Sequence, residues 1–506
     1  MNERTNLIVK PLETTVYNII DFGAVPDGET ICDAAIQKAI DACGEAGGGT
    51  VYCPPGVFHT CSLVLRSHIT LYLSTGCTLL AQIDRDNRGY KFQGSPFLKC
   101  FIYAMNLEDV LITGSGTIHG QGDAYWHKLN KKLTEERPYH NYAERAGWAD
   151  VAQHWYQPDF DRYGQMIALY DCKNCRIGNI NMTMAPGFNI LMHGCTNMTV
   201  TGVNIHGPYH GPNTDGIDIN SCSRVLVSNC NVHTGDDCIC MKSMGINGNI
   251  KVCKDIAITN CILSTACNGI KMGTESIGGF QNISISNCVI TCEDDAQQNR
   301  AIGGVCIETT DGGHNENINV LNITMRNVRA PLFVYLGARG RQFPPMTEEE
   351  MKAFKPGGVK NINFTNITAM GASITSSITG APGYPIENLN LDNVTISYRG
   401  GEDETLARAE VPERPRMYPE TSVYGKGAAG GLYCRHAKNI SIAQMKVCAE
   451  APDGRPGFIF DDVHGLDLIG VRVGQRSGDM PAILTRGCTD VNLYASPAET
   501  TVEEDN

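Results

Sequence analysis

The sequence predicts an all-β solenoid of the parallel β-helix type, on three observations. Short β-rich runs recur along the chain, each ending in Asn or Cys and a turn, as in RVLVSNCNVHTG, DIAITNCILST and NISISNCVITC. The Asn-Cys pairs of these runs, at Asn229/Cys230, Asn260/Cys261 and Asn287/Cys288, are 31 and then 27 residues apart. No helical periodicity lies between the runs, which excludes βαβ units. A period of roughly 20 to 30 residues made of short strands is typical of stacked coils.

The corners between the runs also favour stacked coils. Asn tolerates left-handed backbone conformations, and its amide can hydrogen-bond to the equivalent amide of the next coil. A β-sandwich is the alternative fold. It would show more hairpin turns of the Asn-Gly type between alternating runs than this sequence has.

The chain is predicted to form one β-helix domain over residues 1–506. An N-terminal cap and the first coils occupy about 16–120, the central coils with the active site 160–400, and the last coils with a C-terminal segment 400–500. Near the start, CDAAIQKAIDACGEAGGGT predicts an amphipathic helix that ends at glycine. A helix over the open end of a β-helix would protect its edge strands.

Three insertions interrupt the repeat. Residues 123–165 are aromatic and contain all three tryptophans, residues 339–358 are predicted to include a short helix at EEEMKAF, and residues 398–430 are charged with Pro and Gly. Insertions in a solenoid emerge on one side and commonly build the walls of a groove. We therefore expect a groove closed by these segments.

Charge and hydropathy exclude several partners. The chain has 41 basic and 54 acidic residues, net −13, which argues against nucleic acid and anionic membranes as main partners. The net charge does not exclude an anionic sugar. No stretch approaches the roughly 18 apolar residues of a membrane span. The sequence does not predict an oligomeric state.

The 22 cysteines predict a reducing environment. Many stand singly inside apolar runs, and the N-terminus shows no signal-peptide pattern, so we expect reduced core residues of a cytoplasmic protein. Cys172-x-x-Cys175 has no second CxxC or His pair near it in sequence. No metal site is predicted there.

Carboxylates cluster in the central coils. PNTDGIDI carries Asp215 and Asp218, and HTGDDCICMK carries the adjacent Asp236 and Asp237. If one coil spans about 20 to 30 residues, Asp215 and the pair lie at equivalent places on coils about 4.8 Å apart. Taken singly, each Asp could be a turn residue. Like charges that close together raise one pKa, giving the protonated and ionised carboxyls that glycoside hydrolysis needs.

These motifs resemble the polygalacturonase family, glycoside hydrolase family 28. NTD at 213–215 followed by GDDC at 235–238 is similar to its active-site pattern, and IIDFGAVPDGETICDAAIQKAID, GSGTIHGQGDAYW and MAPGFNILMHGCTNMTVTGVNI look like its other coils. The resemblance covers most of the chain. It implies a right-handed parallel β-helix that hydrolyses α-linkages of pectin with inversion, without a metal or cofactor.

The resemblance also implies roles for three aspartates. Asp236 would be the general acid that protonates the leaving oxygen. Asp215 and Asp237 would hold and activate the water on the opposite face. Inversion typically needs about 6.5–9.5 Å between acid and base, and a spacing across one coil is compatible with that.

Two family motifs depart in this sequence. The family usually carries Gly-His-Gly, whose His supports the acid; here the segment is TACNGIKMGTES, with Cys267 at the predicted histidine position. The family then carries Arg-Ile-Lys, which grips a galacturonate carboxylate; here GVCIETTDGG places Cys306 and Glu308 there. An acid at that place repels a carboxylate by about 1 kcal/mol or more, which favours a neutral sugar such as rhamnose.

Further side chains are candidate substrate contacts. In an extended strand Lys271, Gly273 and Glu275 share one face, as a surface ion pair or as the floor of a site. Lys242 and Lys271 would either hold a uronate or neutralise the aspartates. Asn213 belongs to the NTD motif, and His210 lies just before it, where a lone His is more often structural.

The sequence thus predicts an inverting glycoside hydrolase that acts on pectic or rhamnogalacturonan-type oligosaccharides. The long insertions and the missing signal favour exo cleavage of oligosaccharides inside the cell. A β-helix polysaccharide lyase is one alternative. A carbohydrate-binding β-helix protein that has lost catalysis is another, because the usual His and Arg-Lys are missing.

Overall fold

The computed structural model confirms the predicted right-handed parallel β-helix. It describes residues 15–84, 99–127, 156–158, 162–245, 250–292, 301–342, 344–497 and 500–503. Among them, 37 strands form one continuous sheet, and every strand pair within that sheet is parallel. A second, two-stranded sheet is antiparallel.

The strands follow one another along the chain with few intervening helices. They are β1 (Val16–Asn18), β2 (Asp27–Ile31), β3 (Gly49–Cys53), β4 (Gly56–Thr60), β5 (Leu63–Val64), β6 (Ile69–Leu73), β7 (Cys77–Ala81), β8 (Cys100–Met105), β9 (Leu111–Gly114), β10 (Thr117–His119), β11 (Trp126–His127), β12 (Gln157–Pro158), β13 (Gln165–Tyr170), β14 (Arg176–Gly178), β15 (Asn181–Thr183), β16 (Phe188–His193), β17 (Thr196–Thr201), β18 (Asn204–His206), β19 (Ile217–Asn220) and β20 (Ser223–Ser228). The later strands are β21 (Asn231–Thr234), β22 (Ile239–Ser243), β23 (Cys253–Thr259), β24 (Ile262–Thr265), β25 (Asn268–Ser276), β26 (Phe280–Thr291), β27 (Ala301–Thr309), β28 (His314–Arg326), β29 (Val328–Leu336), β30 (Gly358–Ala372), β31 (Ser376–Thr379), β32 (Ile386–Gly400), β33 (Leu432–Ala443), β34 (Lys446–Asp453), β35 (Phe458–Ile469), β36 (Arg472–Arg476), β37 (Ile483–Arg486), β38 (Thr489–Tyr494) and β39 (Thr500–Glu503). The helices are α1 (Asp33–Glu45), α2 (Glu348–Ala353) and α3 (Thr405–Arg408), with short 3-10 turns at Ile19–Phe22, Gly122–Tyr125 and Thr421–Tyr424.

The strands stack in three ladders because each coil contributes a strand to each side of the solenoid. We call the ladder β8-β13-β16-β19-β22-β25-β27-β29 the site ladder, since the carboxylate cluster lies on it. Inward side chains of alternating residues fill the interior as one apolar core that runs the length of the solenoid. Outward side chains of the site ladder remain available for chemistry.

Asparagine stacks join the corners of successive coils, as the sequence predicts. Asn317, Asn361, Asn388 and Asn439 each donate the side-chain amide to the Asn one coil earlier, at 3.0–3.1 Å, starting from Asn282. All five have positive φ, which Asn tolerates better than most residues. The stack fixes the register between coils at one corner.

Helix α1 is the predicted N-terminal helix. Ile36, Ala39, Ile40 and Cys43 lie on its buried face and join the apolar core beside the first strands. The chain leaves the helix through Gly47, whose φ of 89° suits glycine. The helix therefore covers the apolar interior at the start of the solenoid.

The cysteines are mostly core residues, as predicted. All 22 are free, and all but Cys448 and Cys488 are buried. Most lie in the core on successive coils, where they pack as small apolar side chains.

The insertions are described to different extents. Residues 339–358 contain the predicted helix as α2, which begins with a capping box between Thr347 and Glu350. Residues 401–431 link β32 to β33 and contain α3; we call this segment the strap. In the insertion predicted at 123–165, residues 128–155 and 159–161 lie outside the described residues. In the described part of the chain, no helix has the length and apolar character needed to cross a membrane.

Candidate active site

Two carboxylates of the predicted cluster lie at equivalent positions on neighbouring coils. Ile217 in β19 pairs with Ile239 in β22, and Asp215 and Asp237 each precede these residues by two positions. The Gly216 amide donates to the Asp237 carbonyl at 2.9 Å, which fixes this register. The spatial coincidence expected from the sequence is therefore present.

The cluster opens into a cavity of about 330 Å³ on the outward face of the site ladder. Its lining comes from β13, β16, β19, β22 and β25 with their preceding turns, and from two insertions. The lining residues are Gln165, Tyr170, Phe188, Leu191, His193, Asn213, Asp215, Asn220, Asp236, Asp237, Lys242, Met244, Cys267, Lys271, Gly273, Thr274, Glu275, Arg341, Tyr418 and Glu420. Pockets of this size hold small ligands, and this one joins convergent polar groups with an aromatic end.

Asp236 is in the state that a general acid needs. Burial raises the pKa of its carboxyl to about 7, and the charge of neighbouring Asp237 acts in the same direction. One oxygen of each of these residues lies within 4.8 Å of the other and of the Cys267 sulfur. The Asp237 amide donates to Asp236 Oδ1 at 2.8 Å, which holds that carboxyl in place.

Asp237 is in the opposite state. Burial raises its pKa, but the positive charges of Lys271 and Lys242 outweigh burial, so its pKa lies below the usual value. Lys271 Nζ is 3.7 Å from Asp237 Oδ2. The Asn268 side-chain amide donates to Asp237 Oδ1 at 2.8 Å and the Asn268 backbone amide at 3.2 Å. These donors stabilise the carboxylate form.

The pKa of Asp215 is shifted in the same direction as that of Asp236. Burial raises its pKa well above the usual range, reinforced by Asp236, while Lys242 opposes the shift. Lys242 Nζ lies 3.6 Å from Asp215 Oδ2 and 3.0 Å from Asp218 Oδ1. Asp215 Oδ1 accepts no hydrogen bond from the described residues, so it can accept one from water or substrate. Both lysines thus lie within 4 Å of aspartate oxygens, which favours the neutralising role over contact with a uronate, the other role that the sequence left open.

The arrangement separates proton donor from proton acceptor across neighbouring residues. Asp236 carries a proton near neutral pH, whereas Asp237 is ionised. A pair of carboxyls with divergent pKa values is the requirement for acid–base cleavage of a glycosidic bond.

Arg162, which is not part of the cavity lining, holds the turn that precedes Asp215. Arg162 donates to Asn213 Oδ1 at 2.8 Å and to the Pro186 and Pro212 carbonyls. Asn213 lines the cavity as predicted. His210 is not in the cavity lining; its ring stacks on Tyr156 with centroids 4.0 Å apart, and burial lowers its pKa. The structure therefore gives His210 a packing position.

One face of β25 forms the cavity floor. This is one of the two interpretations that the sequence offers for this face; the other is a surface ion pair. Lys271, Gly273 and Glu275 all line the cavity. Glu275 also pairs with Arg341 of the second insertion, Oε1 to Nη1 at 3.2 Å. The Glu275–Arg341 ion pair therefore joins the floor of the cavity to the wall formed by the second insertion.

Glu308 lies on β27, one coil beyond this floor, instead of in the lining. It is 1% exposed, and its Oε2 would be 3.2 Å from a Cβ placed on Gly273. Burial raises its pKa well above the usual range. The Cys306 thiol donates to Asn268 Oδ1 at 3.4 Å, so the two departures from the Arg-Ile-Lys motif lie on the coil next to the β25 floor.

Asn268, next to Cys267, supports Asp237 rather than the acid Asp236, which the family histidine at position 267 would support. It precedes Ile270 by two positions, and Ile270 pairs with Ile239, so Asn268 lies one coil beyond Asp237 in the same column. The register argument that joined Asp215 to Asp237 could have found it. Cys267 lines the cavity beside Asp236, and burial raises its thiol pKa well above the usual range.

Tyr418 and Glu420 were missed because they come from the strap. Lys271 Nζ donates to the Tyr418 hydroxyl at 3.3 Å across 147 residues of sequence. Glu420 is 4% exposed and lines the cavity next to them. No sequence periodicity relates the strap to β25, so only the charged character of the segment pointed toward a role.

The donor set does not suit a metal ion. Two groups, Asp215-Asp237-Cys240 and Asp236-Asp237-Cys267, bring one ligand atom each within 4.8 Å of one another. Lys242 and Lys271 already supply positive charge to these carboxylates. Burial also raises the pKa of the Cys240 and Cys267 thiols, which opposes the thiolate that a metal requires.

Comparison with known proteins agrees with this geometry. The family model described as glycosyl hydrolases family 28 matches residues 61–414. A probable polygalacturonase of Vitis vinifera is 28% identical over 75% of this chain and 74% of its own length. An exopolygalacturonase of Zea mays is 24% identical over 77% of this chain and 86% of its own length.

Solved structures show the same fold. An exopolygalacturonase of Thermotoga maritima superposes with a TM-score of 0.59 at 22% identity, covering 76% of this chain and 87% of that one. A polygalacturonase of Erwinia carotovora gives 0.56 at 19% identity, covering 78% and 96%. With the carboxylate cluster inside the matched segment, the protein is a glycoside hydrolase, and the chain belongs to glycosyl hydrolases family 28.

Proposed function

We propose that this protein hydrolyses α-glycosidic bonds of pectic or rhamnogalacturonan-type oligosaccharides from a chain end, with inversion. The observation that carries the proposal is the opposite pKa shift of two adjacent carboxyls. Asp236 has a pKa of about 7, while that of Asp237 lies below its usual value. Neither shift alone would make an acid–base pair.

The chemistry assigns one task to each carboxyl. Asp236 donates its proton to the glycosidic oxygen as the bond to the anomeric carbon breaks, so the leaving sugar departs as an alcohol. Asp237 takes a proton from the attacking water, and Asp215 orients that water through its unpaired Oδ1. General acid–base catalysis of this kind typically contributes about 10²–10⁴-fold.

Inversion rests on the family membership. The nearest oxygens of Asp236 and Asp237 lie within 4.8 Å, below the roughly 6.5–9.5 Å typical of inverting pairs. The attacking water therefore belongs between Asp215 and Asp237, on the far side of the anomeric carbon from Asp236. This placement makes the anomeric outcome a direct test.

Relatives support a pectic substrate and exo cleavage. The Zea mays relative is an exopolygalacturonase, as is the Thermotoga maritima protein. In this chain, Arg341 and the strap residues Tyr418 and Glu420 wall the cavity beyond β25. A walled cavity favours chain ends over the middle of a polymer.

Cys306 and Glu308, on the coil next to the β25 floor, favour a neutral sugar at one subsite. Cys306 and Glu308 stand where the family pattern has Arg and Lys, and the charge of Lys271 is already opposed by Asp237. A galacturonate carboxylate would lack the two cations of the family pattern there. Rhamnose, which has no carboxylate, does not need them.

The test compares the wild type with Asp236→Asn on a panel of pectic and rhamnogalacturonan oligosaccharides. Asp392→Asn is the matched control, because it changes an exposed aspartate of β32 in the same way. We expect release of terminal sugars by the wild type and the control, and a loss of at least about 10²-fold in kcat for Asp236→Asn. Undiminished turnover by Asp236→Asn, or an unsaturated product absorbing near 235 nm, would reject the hydrolase mechanism.

We also propose that the enzyme works in a reducing compartment such as the cytoplasm. The support is the set of 22 unpaired cysteines, most of them buried in the core. Cell fractionation with an antibody against the protein tests this proposal. Recovery of the protein outside the cell would contradict it.

A further inference from the structure

The strap brings a second group of side chains to the cavity from outside the coils. Pro415 accepts a hydrogen bond from the Ala338 amide, and the Thr421 hydroxyl donates to the Ile302 carbonyl at 3.1 Å. Between these anchors, Tyr418 and Glu420 enter the cavity lining beyond β25. The strap is therefore attached to the solenoid on both sides of the residues it contributes.

The strap residue Tyr418 contacts Lys271, one of the two lysines in the described cavity lining. Lys271 Nζ lies 3.3 Å from the Tyr418 hydroxyl, 5.3 Å from the centre of its ring and 3.7 Å from Asp237 Oδ2. The carboxyl of Glu420 has one described hydrogen bond, from the Thr421 amide to Oε1 at 3.1 Å. The positive charge of Lys271 is thus shared among several acids.

Titratable groups face Glu420 from every neighbouring element. They are Lys271 and the Cys267 thiol of the β25 segment, Asp237, Cys306 and Glu308 of β27, Arg329 of β29, and Tyr418 of the strap. Burial raises the pKa of every acid in this set except Asp237, whose pKa lies below its usual value. A further negative charge at this end of the cavity would lie beside Glu420, which lines it.

We propose that Glu420 is a specificity-determining residue, which accepts a hydroxyl of a neutral sugar and excludes a sugar carboxylate from the Lys271–Tyr418 end of the cavity. This inference rests on the proposed function, since it names the sugar class at one end of the same site. A hydroxyl donates to the Glu420 carboxylate and accepts from Lys271 or Tyr418. A carboxylate at the same place can do only the second.

The exclusion depends on pH. Burial raises the pKa of Glu420, so its charge is lost at a higher pH than for an exposed glutamate. A bound carboxylate raises that pKa further, because two like charges at close range favour proton uptake. Discrimination against a carboxylate therefore grows as pH rises and Glu420 becomes ionised.

The experiment measures binding, so that it does not depend on turnover. The probes are a galacturonate oligosaccharide and the same oligosaccharide with its carboxyl groups reduced to alcohols. Calorimetry measures both Kd values at pH 5 and pH 7.5, with the protein carrying Asp236→Asn to prevent cleavage. We expect the reduced probe to bind about tenfold tighter than the carboxylate at pH 7.5, with a smaller ratio at pH 5.

Added substitutions assign the effect to Glu420. With Glu420→Gln the ratio should fall several-fold and lose its pH dependence, whereas Glu420→Asp should keep the pH dependence. Glu410→Gln is the matched control, because Glu410 is exposed on the same strap. Glu420→Ala replaces the Gln variant if that variant does not fold.

Two outcomes overturn the proposal: a ratio unchanged by Glu420→Gln, or tighter binding of the carboxylate probe by the protein with native Glu420. The proposed hydrolysis fails separately, if the wild type cleaves no member of the oligosaccharide panel while the binding ratio still responds to Glu420→Gln. In that case the subsite stands without the reaction.

Discussion

Lys271 Nζ lies 3.7 Å from Asp237 Oδ2, and both side chains are no more than 5% exposed. The pair holds one carboxyl of the cluster ionised next to Asp236, which keeps its proton to about pH 7. On the preceding coil Lys242 Nζ lies 3.0 Å from Asp218 Oδ1, but there burial outweighs the lysine and raises the pKa of the carboxyl well above its usual value. Of these two pairs, only Lys271 with Asp237 keeps its carboxyl in the acceptor state.

Replacing Lys271 with Met should move the acid limb of the pH–rate profile. Asp237 would lose its closest positive charge while remaining buried, so its pKa should rise and the carboxylate form should be lost at a higher pH. Breaking a buried ion pair from one side costs about 3–5 kcal/mol of folding free energy. Denaturant unfolding and the pH dependence of kcat/KM measure the two effects. An unchanged acid limb would mean that Lys271 does not control Asp237.

Replacing Asn268 with Ala should act on the same carboxyl through a different contact. Both donors to Asp237 Oδ1 come from Asn268, and the side-chain donor, at 2.8 Å, is lost in this variant. The pKa of Asp237 should rise, with kcat falling at acidic pH. Cys267→Ser is the comparison, and it should leave the acid limb in place. If the acid limb moved in Cys267→Ser and stayed in place in Asn268→Ala, Cys267 rather than Asn268 would be the residue that supports Asp237.

The alkaline limb of the profile should report Asp236. Its carboxyl must be protonated to act as the acid, and its pKa is raised to about 7. The rate is therefore expected to fall tenfold per pH unit above about 7 and to be level below it, until Asp237 takes up a proton. Initial rates between pH 4 and pH 9 measure this. A rate that rises toward pH 9 would be incompatible with Asp236 as the acid.

Replacing Asp236 should raise stability, although it lowers activity. Its folded-state pKa is above the value of an unfolded aspartate, so the folded state binds the proton more tightly. The stabilisation from this proton is present below about pH 4 and is lost as pH rises toward 7. Asp236→Asn removes the titration and should increase the unfolding free energy by about 2 kcal/mol or more at pH 8, with little change at pH 4. Equal effects at the two pH values would contradict the raised pKa.

Sequence periodicity sufficed for the fold and for the carboxylate cluster. Each coil repeats the preceding one, so the spacing between Asp215 and Asp237 translates directly into neighbouring positions on stacked strands. The alternation in β25 likewise placed Lys271 and Glu275 on the cavity floor. In a solenoid, local sequence patterns carry three-dimensional information because each strand pairs with its neighbour in the next coil.

Contacts made by segments outside the repeat were not predictable in this way. Tyr418 and Glu420 reach Lys271 from a strap whose path depends on anchors such as Ile302 and Ala338, and no repeat fixes that path. Asn268 differs from these: its column is predictable, because it lies two positions before Ile270, but the family motif points to position 267 instead.

The most direct test of the account is the configuration of the first sugar released, followed by proton NMR from the first minutes of reaction with a pectic oligosaccharide. With Asp236 as the acid and a water held by Asp215 and Asp237, an α-linkage should give the β-anomer first, which then mutarotates. An initial α-anomer, or an unsaturated product, would contradict the assignment of these three carboxyls.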